Sequence, residues 1–199
     1  YIAIVFAVLK FYVGPQFNEM EIRETEKEIS IYKSAIEREV NAVNSYCVDY
    51  ARWDDTYNYV AKPYEKYVND NLKIPSLSVQ RIHFFHIIDL SGKVKYSAAY
   101  NPVGYEPIEI SDLKSDMSDL GKFILMAQQN PQGIYKGMVI TDEGLMLIST
   151  YPILDSEQRK PANGRLFSGR FFSREEMNRM REIYQGDFDL WTDFEGKSG

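Results

Sequence analysis

The spacing of apolar positions changes along the chain, and each change marks an element. Tyr1–Leu9 is apolar on every side and is followed by Lys10, Phe11-Tyr12-Val13 and Gly14-Pro15. From Phe17 to Val60 there is no glycine or proline, and Ile22, Ile29, Ile36, Val43 and Tyr50 recur every seven residues. Tyr32, Val40 and Cys47 fill part of a second seam, and Asn41 and Asn44 interrupt it. So narrow a stripe predicts one long helix that pairs with another helix over Phe17–Val40. Aromatics broaden the stripe in its second half, where packing on a globular body is expected. Residues ahead of proline avoid helical angles, so Pro63 ends the helix. Tyr64–Leu72 reads as a further helical turn or two and Lys73–Ser76 as a linker.

From Ser78 the period becomes that of strands. Val79–Ile88 is β-rich, Asp89-Leu90-Ser91-Gly92-Lys93 is a turn signal, and Val94–Tyr100 pairs back as a hairpin. Ser111–Asn130 reads as a helix capped by Ser111, with Leu113, Met117, Leu120, Ile124 and Ala127 on one face. Gly133–Thr141 and Leu145–Leu154 form a second hairpin, and Arg165–Phe172 a fifth strand. Ser173 and Glu176 make a capping-box start for a helix to Tyr184. Asp187–Trp191 reads as a short final strand. Consecutive strands joined by tight turns give an antiparallel sheet covered by helices. The fold class is therefore α+β, not a βαβ nucleotide fold.

Composition narrows the function classes. The 199 residues carry 23 Lys and Arg against 29 Asp and Glu, a net charge of −6. That balance argues against a nucleic-acid binder. Charged residues at 26% exclude a multi-span membrane protein and a disordered chain. With one cysteine, Cys47, no internal disulfide can form, and Cys47 reads as a small core residue. The start at Tyr1 reads as a fragment. The run over residues 1–14 reads as the end of a transmembrane helix, with a buried helix and a signal-peptide core as alternatives.

Catalytic and cofactor chemistry is sparse. No glycine-rich phosphate loop, nucleophile elbow or Asn-x-Ser/Thr sequon occurs. The two histidines, His83 and His86, would point to opposite faces of a strand, so no metal and no cofactor is expected. Asp54 and Asp55 invite an acid–base reading, but adjacent helix residues diverge by about 100°. No catalytic residue is assigned.

Tyrosine is the unusual component, with 15 copies. Six of them, Tyr46, Tyr50, Tyr57, Tyr59, Tyr64 and Tyr67, surround the run Ala51-Arg52-Trp53-Asp54-Asp55-Thr56-Tyr57. On a helix Tyr50, Trp53, Tyr57 and Val60 share a face, and Asp49 and Arg52 are placed for an ion pair. That face either anchors the helix on the sheet, with Asp54 as a buried acceptor, or lines a ligand cavity with Trp53, Asp54 and Tyr57.

This run resembles the extracellular sensor domain CHASE, class four. Matches in the same order are Asn69-Asp70-Asn71-Leu72, Asp89-Leu90-Ser91-Gly92-Lys93-Val94, Tyr151-Pro152-Ile153, Asn163-Gly164 and Ser168-Gly169-Arg170. The loop Glu157–Lys160 is more charged than the family pattern. The resemblance implies a PAS-like or Cache-like body of about five antiparallel strands, outside the membrane and flanked by two transmembrane helices. The expected division is 1–14 membrane helix end, 15–62 stalk helix with the Trp-Asp-Asp motif, and 63–199 sensor body. The implied function is signal input to a histidine kinase, diguanylate cyclase or phosphodiesterase, with the receptor dimeric through the stalk. In folds of this kind a small polar ligand lies on the concave sheet face, and Tyr96, Tyr100, Tyr135, Tyr151 and Arg170 are the candidates to bind it. Arg52, Trp53, Asp54, Asp55 and Tyr57 form the motif at the joint of stalk and body. The alternatives are a ligand-free dimerisation module and a small extracellular hydrolase.

Overall fold

A computed structural model describes residues 14–184, with side chains described from Arg23 onward. The proposed membrane segment up to Val13 and the strand expected at Asp187–Trp191 lie outside these residues. Helix α1 (Gly14–Ala51) leads into three short helices, α2 (Asp54–Ala61), α3 (Glu65–Asn71) and α4 (Ile74–Val79). The sheet is built from β1 (Phe84–Asp89), β2 (Val94–Ala99), β3 (Tyr135–Thr141), β4 (Gly144–Ile153) and β5 (Gly164–Phe171). Helix α5 (Asp119–Gln129) precedes β3, and α6 (Arg174–Tyr184) follows β5. The strand order is β2-β1-β5-β4-β3, and every pairing is antiparallel. The α+β reading and the five strands are thus borne out. No helix among the described residues is long and apolar enough to cross a membrane.

Period-2 alternation along the strands gives the sheet two buried faces. One carries Phe85, Ile87, Leu147 and Leu166 and is covered by α1 from Ala35 to Ala51. The other carries Phe84, Ile88, Met146, Ile148 and Phe167 and is covered by α5 through Leu120 and Ala127. Cys47 is fully buried on the α1 side, with its thiol 3.5 Å from the Leu166 carbonyl. Burial pushes that thiol up to about 12, against hydrogen bonds from Ser168 and Ser149 that work the other way.

Several sequence expectations are corrected. The long helix breaks at Arg52-Trp53, where Trp53 is extended (φ −101°, ψ 138°). The linker and the first residues of the first strand instead form α4, because a proline at the start of a helix loses no hydrogen bond. The helix expected over Ser111–Asn130 divides into a 3₁₀ turn, Ser111–Lys114, and α5. Ser118, not Ser111, caps α5 by accepting from the Gly121 amide at 2.9 Å. A Cβ at Gly121 would lie 2.0 Å from the Ser115 carbonyl oxygen, so only glycine lets α5 start against that turn. Asn41 and Asn44, which interrupt the seam, reach the sheet. Asn41 Oδ1 accepts from Lys136 Nζ at 2.6 Å, and Asn44 Oδ1 from the Ser149 hydroxyl at 2.9 Å.

Candidate functional site

The break in the helix is made by the loop after β4. The Ala51 carbonyl, which a continuing helix would use, accepts instead from the Leu154 amide at 2.9 Å. Asp54 and Ser156 then bond reciprocally. The Asp54 amide donates to the Ser156 hydroxyl, and the Ser156 amide donates to Asp54 Oδ1, each at 3.1 Å. Asp54 is exposed, so the expectation of a buried acceptor is corrected. Asp55 sits beside it in the first turn of α2, where a negative charge suits the helix dipole.

Other motifs of the resemblance close around this joint. Tyr57 donates through its hydroxyl to the Pro161 carbonyl at 3.1 Å, and Asn163 Nδ2 donates to the Tyr57 carbonyl at 2.8 Å. Tyr50 donates to the Asn71 carbonyl at 3.0 Å. Trp53 stacks on Tyr50 at 4.4 Å, Tyr50 stands edge-on to Phe85 of β1, and Phe85 in turn meets Tyr96 of β2. Tyr59 and Tyr67 stack at 4.5 Å, and Tyr67 shares a hydrogen bond with Thr56 at 2.8 Å. The tyrosine surplus is therefore largely the wall between α1–α3 and the β1–β2 edge. The expected Asp49–Arg52 ion pair does not form among the described residues, and the two are joined only by a backbone bond. Asp54→Ala should lower stability by about 1 kcal/mol, the usual net worth of one hydrogen bond, here the one accepted from the Ser156 amide. Asp55→Ala should stay within about 0.5 kcal/mol. Urea titrations of the two variants check the contrast.

Four of the five candidate binders lie on the α1 side of the sheet and the fifth on the opposite face. Tyr96, Tyr100 and Tyr151 pack into the core on the α1 side. Tyr135 lies on the opposite face, against the α5 core, with the Arg165 guanidinium 5.9 Å from its ring centre. Arg170 is on the α1 side and 3% exposed, and each of its three side-chain nitrogens is engaged. Nη1 reaches Glu39 at 2.6 Å, Nε the Arg81 carbonyl at 3.1 Å and Nη2 the Gln80 carbonyl at 2.9 Å.

Arg170 belongs to a charge cluster that sequence spacing gave no means to foresee. Glu39 of α1 also accepts from Arg179 of α6 at 3.2 Å and from Arg81 at 3.4 Å. Glu176 of α6 accepts from Arg81 at 2.6 Å and Arg179 at 2.5 Å. Burial alone would raise the Glu176 carboxyl, but the Arg179 hydrogen bond and the Arg81 charge hold it below its ordinary value. Three cations and two anions thus tie α1, β5 and α6 together. The signal that could have found it is only the excess of Arg and Glu at the ends of β5 and in α6.

Two openings flank α1. An apolar groove of about 690 Å³ runs between Ile29, Tyr32, Ile36 and Val40 of α1 and Met138 of β3. A more polar cleft of about 600 Å³ lies at the joint, between Asn44, Asp49, Arg52, Trp53 and Ser156.

The chain is similar to several known proteins. The chain is 29% identical over 140 residues to the methanogenesis regulatory histidine kinase FilI of Methanothrix harundinacea, matching 68% of this chain and spanning 15% of that protein. The sensor domain of DcuS from E. coli is 10% identical, with 75% of this chain and 99% of that one covered and a TM-score of 0.44. The periplasmic domain of LuxQ from Vibrio cholerae is also 10% identical, covering 79% and 69%, with a TM-score of 0.47. The model of the CHASE4 domain matches residues 35–191, beginning where α1 first becomes buried. With most of its length matched, the chain belongs to the CHASE4 domain family and is a sensor input domain.

Proposed function

We propose that this domain sits on the outer side of a membrane and supplies the input of a dimeric receptor whose output is a histidine kinase or diguanylate cyclase. A small polar ligand would bias the arrangement of α1, and the paired α1 helices would carry the change onward. The observation that carries this reading is the double character of α1. From Ala35 it is part of the sheet's core, whereas Arg23–Ser34 is exposed apart from a half-buried Tyr32, with Ile29 60% exposed on the seven-residue seam. An exposed apolar seam at that spacing suits a second copy of the helix. In a parallel pair on this seam, Glu28 of one copy would face Lys33 of the other, a favourable charge match. The Glu39 cluster supports the same reading by fastening α1 to α6. The domain itself would do no chemistry, since Asp54 is engaged by Ser156 and Asp55 belongs to the start of α2.

Ile36 packs on the domain's own core, so Ile29 is the informative position. In the full receptor in membranes, Ile29→Cys should form a disulfide-linked dimer and Lys27→Cys, two residues round the helix, should not. Loss of the contrast removes the paired-helix reading.

A further inference from the structure

We propose that the cleft at the joint is a binding site for a small zwitterion with an α-amino-acid-like head group, held between Arg52 and Asp49 against Trp53. The site rests on the reading of the domain as a ligand-binding input module. Its volume of about 600 Å³ is in the range of small-molecule sites.

Two opposite charges at the joint leave each other alone. Asp49 in the last turn of α1 and Arg52 just past its end are three apart, yet neither is in an ion pair among the described residues. The helix ends at Ala51, between the two, and the half-buried Arg52 spends no guanidinium donor among the described residues. A carboxylate would take two of those donors side by side. An ammonium group beside it would meet Asp49. A simple anion would meet the Asp49 carboxylate as a like charge, and a simple cation would meet Arg52, so one molecule carrying both signs fits best.

The remaining lining residues have free hydrogen-bonding capacity of the right kind. Ser156 accepts from the Asp54 amide, which leaves its hydroxyl proton to donate. Asn44 uses its Oδ1 for Ser149, which leaves Nδ2. Ser45 donates to the Asn41 carbonyl at 2.9 Å, which leaves its oxygen as an acceptor. Trp53 is stacked on Tyr50 along one face only, and with Val48 it offers an apolar wall for the rest of the ligand. The cleft also spans the parts that a ligand would need to move. Asn44 and Asp49 belong to the last turns of α1, Arg52 to the break after it, and Ser156 to the loop that makes the break. A molecule bridging them would fix the angle between α1 and the sheet.

Trp53 is a built-in reporter, one of two tryptophans. The test is a fluorescence titration of the whole chain carrying Trp191→Phe, using each of the twenty L-amino acids, with acetate and methylamine as half-ligands. At least one amino acid should change Trp53 emission saturably below about 10 mM, and the half-ligands should bind at least about tenfold more weakly. Arg52→Gln and Asp49→Asn should each weaken that binding by about tenfold or more, with circular dichroism unchanged. The site is overturned if no amino acid alters the emission of the folded chain. It is also overturned if either substitution leaves the affinity intact. The Ile29 disulfide test is independent of this titration: dimers without amino-acid binding would remove the site and leave the input-domain reading standing.

Discussion

Replacing Glu39 with alanine is expected to destabilise the fold by about 3–5 kcal/mol, the usual cost of orphaning a buried charge. Glu39 is the carboxylate that holds Arg170, and Arg170 is 3% exposed. Without it, Arg170 keeps only the carbonyls of Arg81 and Gln80. Arg179 and Arg81 would retain Glu176, so three cations would share one anion. The mechanism is the unpaired charge, not a lost contact, and it has a signature. Glu39→Ala combined with Arg170→Met should recover a large part of the loss, because a well-packed apolar pair can match a buried ion pair. Urea unfolding of both variants measures this. A loss under about 1 kcal/mol for Glu39→Ala would show the cluster to be solvated and energetically slight.

Acidification should weaken the fold well above the carboxylate range. Burial lowers His86 to about 4, and burial together with the Arg170 charge lowers His83 to about 4. His83 faces Tyr105, Arg81 and Glu176 as well as Arg170, and His86 faces Ser97 and Phe167. The folded chain therefore holds both rings neutral where the unfolded chain, with values near 6.5, takes up protons. Stability contributed this way is complete above about pH 6.5 and falls as the pH drops toward 4. Each ring contributes a slope of up to about 1.4 kcal/mol per pH unit, so the pair gives up to about 2.7. Between pH 7 and 4.5 the loss is on the order of 4 kcal/mol. Urea midpoints taken between pH 6.5 and 5.5 isolate the histidines, since carboxylates titrate lower. A flat profile in that window contradicts the argument.

The elements were legible where the cause is local. Seven-residue spacing gave α1, alternation with turn residues gave both hairpins, and Ser173 with Glu176 gave the start of α6. The proline start of α4 and the Ser118 cap of α5 are local, but the other departures have distant causes. The break at Trp53 is imposed by Leu154 and Ser156, about a hundred positions downstream, and nothing in the local pattern at residues 50–60 announces it. Asn41 and Asn44 read as flaws in a helix pair because their partners, Lys136 and Ser149, are in strands. Tyr135 parts from the other tyrosines because strand register, which no composition reveals, puts it opposite Thr150 on the α5 side. Arg170 could be located on a strand, but its four charged companions come from three other segments of the chain.

The length of α1 has a mechanical meaning. Its 38 residues span roughly 57 Å at about 1.5 Å per residue. Burial against the sheet begins at Ala35, and Gly14 lies about 30 Å further along the helix axis. Such a rod is a lever held by the sheet along its second half. A tilt of about 5° at the clamp, within the play of a few side chains, displaces the far end of a 30 Å arm by roughly 2.6 Å. The core therefore never needs to rearrange visibly for the distal end to travel the width of an atom.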